Sequence, residues 1–99
     1  MWGARLVGFV TVCEDEVEQV YVVGPARGTG VADALLAAAE RAVAERFDTA
    51  WLAVAVRNTR ARRFYARSGW HDVAALHYPA EAGATPVIVA CRRYEKRVR

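Results

Sequence analysis

The segment Ala50–Val56 constrains the fold more than any other stretch of the chain. Both of its alternating faces are apolar, with Trp51, Ala53 and Ala55 on one and Leu52, Val54 and Val56 on the other. A strand without a polar face has to be covered on both sides, as in a sheet flanked by helices. The preceding sequence offers such a cover. From Val31 onward the apolar period lengthens from two to about 3.6. Ala32, Leu35, Leu36, Ala39, Val43 and Phe47 make one stripe, while Asp33, Glu40, Arg41 and Glu45 lie off it. This pattern predicts an amphipathic helix over Val31–Phe47.

The other elements follow from punctuation. Arg5–Val12 and Val17–Val23 are apolar, β-branched runs around the polar turn Glu14–Glu16, and read as a hairpin. Leu6–Val12 after Arg5 faintly imitates a leader peptide. It lacks a small-residue cleavage site and runs straight into Glu14-Asp15-Glu16, so a strand is expected. Gly24-Pro25 breaks the second strand, and Arg27-Gly28-Thr29-Gly30 is a glycine-rich loop. Asn58 or Thr59 can cap a second helix with Ala61, Phe64, Tyr65 and Ser68 on one face, stopped by Gly69. Trp70–Tyr78 and Pro86–Tyr94 read as strands around a loop from Pro79 to Ala84. The expected order is β-β-α-β-α-β-β, a mixed α/β sheet in one domain of 99 residues.

Composition narrows the class. A chain that is 55% hydrophobic and 25% charged is globular rather than disordered. Its longest run without charge, Ala82 to Cys91, is about half of what a membrane-spanning helix needs. A soluble, cytoplasmic protein is expected, with no membrane partner. The net charge of +3 conceals two basic clusters: five arginines between Arg57 and Arg67, and the tail Arg92–Arg99. The remainder is acidic, which points to local phosphate contacts rather than to nucleic-acid binding. Cys13 and Cys91 form no CxxC or zinc-ligand spacing, and His71 and His77 add none, so no metal is expected. Each cysteine lies in an apolar run, where a reduced thiol packs as a small hydrophobe.

A strand, a glycine-rich turn and a helix N-terminus together make an anion site. The first helical N–H groups lack intrahelical partners, and the helix dipole places partial positive charge there. Gly28 and Gly30 let the backbone approach a pyrophosphate closely, and Arg27 adds a charge-assisted donor. The dinucleotide fingerprint fails, because Gly28-Thr29-Gly30-Val31-Ala32-Asp33 ends in an acid. The P-loop fails too, for want of a following Gly-Lys-Ser/Thr.

The turn and its surroundings resemble the GNAT superfamily of acyl-CoA N-acyltransferases. Its Arg/Gln-x-x-Gly-x-Gly/Ala signature is matched by Arg27, Gly30 and Ala32. A second segment, Asn58-x-x-Ala61-x-x-Phe64-Tyr65-x-x-x-Gly69-Trp70, looks like the family's Asn-x-x-Ala-x-x-Phe/Leu-Tyr-x-x-x-Gly-Phe. The resemblance covers about residues 5–95. It implies acetyl-CoA, or another acyl-CoA, as co-substrate, bound where strands Val17–Val23 and Ala50–Val56 splay apart. Pantetheine would run along Tyr21-Val22-Val23, with the pyrophosphate on the amides of Gly28, Thr29, Gly30, Val31 and Ala32. A backbone N–H near Val22 or Val23 would polarise the thioester carbonyl. An amine on a small molecule, peptide or protein would attack directly. By the same resemblance Tyr65 protonates the departing thiolate, Asn58 contacts the cofactor or orders the site, and Glu18 is the best-placed base, with Glu16 nearer the turn. Arg60, Arg62, Arg63 or Arg67 could meet the 3′-phosphate.

Other readings stand beside these roles. Tyr65 can be a core aromatic, Asn58 an N-cap, and Glu18 a surface charge. The family's usual proline falls one place late, at Pro25. The family also usually begins with a strand, two helices and another strand ahead of the point where this sequence starts. Those elements build one wall of the acceptor site, so a non-catalytic CoA-binding or interaction module is the alternative. An uncovered sheet edge would also suit a homodimer.

Overall fold

The computed structural model describes residues 8–82 and 85–99. In chain order they form β1 (Gly8–Cys13), β2 (Glu16–Val22), a short 3-10 turn (Gly24–Ala26), α1 (Val31–Ala44), β3 (Thr49–Ala55), α2 (Thr59–Arg67), β4 (His71–Ala82) and β5 (Thr85–Arg97). The strands make one mixed sheet in the order β1-β2-β3-β5-β4. The predicted α/β element order is therefore the observed one, with the 3-10 turn added. The chain divides into two compact units, Met1–Ala50 with Arg97–Arg99, and Trp51–Lys96.

In the first unit β1 and β2 pair antiparallel, from Gly8 opposite Val22 to Cys13 opposite Glu16. Glu14 and Asp15 close the hairpin, Glu14 at a φ of 54°. Hairpin turns matched to strand twist need a positive φ at this position, which costs a non-glycine residue about 1 kcal/mol. The ladder has one irregularity. Thr11 faces Gln19 and Val12 faces Val17, so Glu18 has no residue opposite and forms a β-bulge. Its effect shows in burial. Val22 and Val20 are half-buried, Gln19 and Glu18 are both exposed, and Val17 is buried. Strict alternation back from Val22 would have sent Glu18 inward and Val17 outward.

Helix α1 packs on β1 and β2. Its stripe behaves as predicted: Leu36, Ala39 and Val43 are buried, while Ala32, Leu35 and Phe47 are half-buried. Burying Leu36 and Val43 contributes about 2 kcal/mol each. The helix ends at Ala44 rather than Phe47, where its last turn tightens: the Val43 carbonyl is shared between the i+3 amide of Arg46 at 3.1 Å and the i+4 amide of Phe47 at 2.9 Å. The approach of sheet and helix is closest at Gly8. A Cβ there would stand 2.5 Å from the Tyr21 carbonyl oxygen and 3.0 Å from Leu35 Cδ1.

In the second unit Leu52 and Val54 of β3 are buried, but Trp51, Ala53 and Ala55 are only half-buried. The guanidinium of Arg93 lies 4.3 Å from the Trp51 ring centre, so part of the second apolar face is covered by a cation rather than a helix. β4 and β5 pair antiparallel from His71 opposite Glu95 to Ala82 opposite Thr85. This corrects the expected loop: Pro79–Ala82 and Thr85 belong to the strands, and residues 83–84 lie outside the described ones. Proline is tolerated because β4 is an edge strand, where a missing N–H need not break the ladder. Cys91 is buried as expected, and burial raises its thiol pKa. Cys13, at the exposed end of β1, is not. Among the described residues no helix is long and apolar enough to cross a membrane, and no cluster of metal-ligating side chains is found.

Candidate functional site

The first unit holds Glu18, Tyr21–Val23 and Arg27–Ala32 in one strand, turn and helix. β2 ends at Val22, one residue earlier than predicted, and Val23 opens the 3-10 turn. Within that turn Ala26 N–H donates to Val23 O at 2.9 Å and Arg27 N–H to Gly24 O at 3.1 Å. Thr29 is tied to the same loop, its hydroxyl and its N–H both donating to Ala26 O. Its side chain therefore braces the turn. Both glycines of the turn lie in the left-handed region, Gly28 at φ 78° and Gly30 at φ 88°, and a Cβ on either would meet no atom within 4 Å.

Gly30 is the N-cap of α1, and its carbonyl accepts from Ala34 N–H at 3.1 Å. A glycine cap supplies no side-chain acceptor, so no side chain caps the first-turn amides of Val31, Ala32 and Asp33, which lack intrahelical partners at a helix N-terminus. Arg27 is exposed at the rim of this turn. Asp33 adds an acid in the first turn, which complements the helix dipole but opposes an anion. Tyr21 is 48% exposed and stacks on Phe9, with ring centres 5.3 Å apart. The bulge leaves Glu18 exposed on the same strand.

The second unit holds Asn58 and Tyr65, and here the sequence motif has a physical explanation. Asn58 Oδ1 accepts from Ala61 N–H at 3.1 Å, which makes Asn58 the N-cap of α2. At the other end Gly69 has φ 91°. Its N–H donates to Ala66 O at 3.2 Å, and Trp70 N–H donates to Tyr65 O at 3.0 Å. These two bonds define a Schellman motif, completed by apolar contact between its outer residues. Those residues are Tyr65 and Trp70, whose ring centres are 6.1 Å apart. Lys96 Nζ adds a bond to Ser68 O at 3.0 Å, a cation at the negative helix end. The motif thus marks both ends of a short helix.

Tyr65 itself is 9% exposed, packed among Phe64, Trp70 and Tyr94. Burial pushes its phenol pKa up to about 12. The group is a neutral hydrogen-bond donor throughout the physiological range.

Sequence reasoning missed three features. The Glu18 bulge leaves one signal, two successive polar residues (Glu18, Gln19) interrupting the valine alternation of β2. The 3-10 turn is hinted at only by Gly24-Pro25. The third is a polar network in the second unit, where Arg62 reaches Tyr94 Oη (Nε, 3.2 Å), Val56 O (Nη1, 3.2 Å) and Asp72 (Nη2, 3.5 Å). Asp72 also accepts from Arg92 Nε at 2.8 Å. The two side-chain partners are 10 and 32 residues from Arg62, beyond the reach of local pattern.

A family model described as "Acetyltransferase (GNAT) family" matches residues 2–70. No curated protein matches the chain. Among solved structures, nourseothricin acetyltransferase superposes with a TM-score of 0.74 at 24% identity, over 94% of this chain and 58% of its own. Ard1 from Thermoplasma volcanium gives 0.72 at 24%, over 94% and 64%. Arabidopsis thaliana Naa50, in complex with the bisubstrate analogue CoA-Ac-MVNAL, gives 0.66 at 20%, over 82% and 52%. The chain spans less than two thirds of the length of each. At these identities the likeness shows a shared fold.

Proposed function

Since this chain belongs to the GNAT acetyltransferase family, we propose that it transfers an acetyl group from acetyl-CoA to a primary amine. The observation that carries the reading is the turn between β2 and α1. Two glycines at positive φ face open space, and the helix that follows has no side-chain cap. Such a turn fits a pyrophosphate, since a Cβ at either glycine would occupy the approach. The Gly28, Gly30, Val31 and Ala32 amides would hold it, with Arg27 at the rim. Tyr21-Val22-Val23 would carry the pantetheine arm, and Asn58 would keep α2 in place as its cap.

Acetyl-CoA supplies an activated acyl carbon on a good leaving group. The chain's residues supply positioning and proton management. The backbone N–H of Val22 or Val23 would stabilise charge developing on the carbonyl oxygen. Glu18 would take the amine proton, through water, from its exposed place on the bulge. As the C–N bond forms and the C–S bond breaks, the electron pair goes to sulfur. Tyr65 would donate its phenolic hydrogen there. A phenol near 12 is a weaker acid than an ordinary thiol near 8.5. Tyr65 would therefore work by hydrogen bonding to the developing thiolate, completing the transfer only as that thiolate loses solvent.

Titration calorimetry with acetyl-CoA tests the reading, with binding expected in the micromolar range or tighter. No heat at millimolar ligand would sink it. Tyr65→Phe is expected to slow turnover with binding retained. The second reading, a CoA-binding module without transfer, is favoured by one observation: Asn58, Gly69 and Trp70 all have structural duties, and Tyr65 is packed among aromatics. Binding with no turnover over a broad panel of amines and short peptides would select it.

A further inference from the structure

The ring of Tyr65 is held from two directions. Trp70 is fixed by its N–H bond to the Tyr65 carbonyl. Tyr94, from β5, is 3% exposed and its ring centre lies 6.3 Å from that of Tyr65. A purely apolar wall would need no hydroxyl at position 94. The structure nevertheless buries one and bonds it to Arg62, one turn before Tyr65 on α2. Arg62 is itself held at Val56 O and at Asp72, which Arg92 holds in turn. Its guanidinium therefore ties the β5 tyrosine to the helix that carries Tyr65. Fixing so long a side chain has an entropic cost of about 2 kcal/mol, which a surface ion pair alone rarely offsets.

We propose that Tyr94 and Arg62 are positioning residues, which fix the Tyr65 phenol in the orientation that serves the departing sulfur; this rests on the role given to Tyr65 above. They act through Tyr65, by keeping its ring from turning about the side-chain bonds and its helix from rotating against β5. A group positioned in this way contributes to the transition state more than to cofactor binding.

The test uses Tyr94→Phe, Arg62→Met, the double variant and Arg62→Lys, with two readouts. The first is turnover of acetyl-CoA with the best acceptor from an amine panel. Each single variant is expected to lose about 10-fold in kcat with KM for acetyl-CoA unchanged. The double variant should lose no more than either single one, because the pair acts as a unit. Arg62→Lys should recover part of the loss through its remaining donor to Tyr94. The second readout needs no turnover. With 3-fluorotyrosine at position 65, the fluorine spectrum of the substrate-free protein should show one sharp resonance. It should split or broaden in Tyr94→Phe and Arg62→Met. A single unshifted resonance in both variants overturns the proposal. So does a wild-type kcat in both when Tyr65→Phe is impaired. A wild-type kcat in Tyr65→Phe itself overturns the role of Tyr65 instead, and the proposal with it.

Discussion

Replacing Gly30 by alanine probes the turn at its most constrained point. At φ 88° an L residue costs about 1–2 kcal/mol. Loss of glycine's freedom in the unfolded chain returns about 0.4–1 kcal/mol of that. No clash is added, since nothing lies within 4 Å of the new Cβ. The net destabilisation is about 1 kcal/mol, or a Tm lower by about 4–8 °C for a domain of this size. Gly30→Asn separates conformation from bulk, because asparagine tolerates the left-handed region far better than alanine. Most of the stability should return in that variant. Affinity should not, because its side chain enters the space above the first-turn amides and competes for them. Losing one charge-assisted hydrogen bond costs about 1.5–3 kcal/mol, so Kd for acetyl-CoA should rise at least about 10-fold in both variants. Differential scanning calorimetry and titration calorimetry read the two quantities separately. A Gly30→Asn protein with wild-type Kd would refute the amide cradle, and an unchanged Tm in Gly30→Ala would refute the strained turn.

Three further outcomes follow from packing and titration. Gly8→Ala should lower the urea midpoint by an amount equivalent to about 2–3 kcal/mol, since its Cβ meets a backbone oxygen of the neighbouring strand at 2.5 Å; a neutral result would mean that β1 can shift freely. Asn58→Ala should cost about 1 kcal/mol and Asn58→Ser much less, as expected for a cap. Equal losses in thermal melts would contradict that role. Tyr65 has a folded pKa of about 12, above its ordinary value near 10, so its contribution to stability is complete below pH 10 and is lost as pH rises toward 12. Denaturation from pH 9 to 12 should show a loss of about 2 kcal/mol that is absent in Tyr65→Phe.

How far the sequence could be read depended on the range of the interactions involved. Local signals worked: the α1 stripe, the Asn58 cap, the Gly69 stop and the glycine turn each rest on residues within one or two turns of one another. The boundaries that failed were decided elsewhere. Phe47 continues the α1 stripe in register, yet regular helix stops at Ala44, where the Val43 carbonyl is shared by the amides of Arg46 and Phe47. Pro79 reads as a loop residue, and only its place on an edge strand makes it acceptable in β4. Ala50–Val56 has no polar face, and Leu52 and Val54 are buried as that pattern predicts, while Val56 is exposed beyond the end of β3. Nothing in it announced that Arg93, more than 30 residues on, would cover Trp51. In the Asn58–Trp70 motif, Asn58 had a cofactor role by resemblance as well as a capping role, and the structure shows it as the N-cap, with Gly69 and Trp70 closing the other end of the helix. Tyr65 is the member of that motif whose hydroxyl has no part in the cap.

The bulge at Glu18 has a consequence for insertions and deletions in β2. With Glu18 removed, the strand would run Val17 in, Gln19 out, Val20 in, Tyr21 out and Val22 in, an unbroken alternation that already pairs with Thr11 and Val12. Folding alone has no use for the extra residue. A variant lacking it should melt at or above the wild-type temperature, with its sheet made more regular. Whatever that variant loses measures what position 18 does besides hold the protein together.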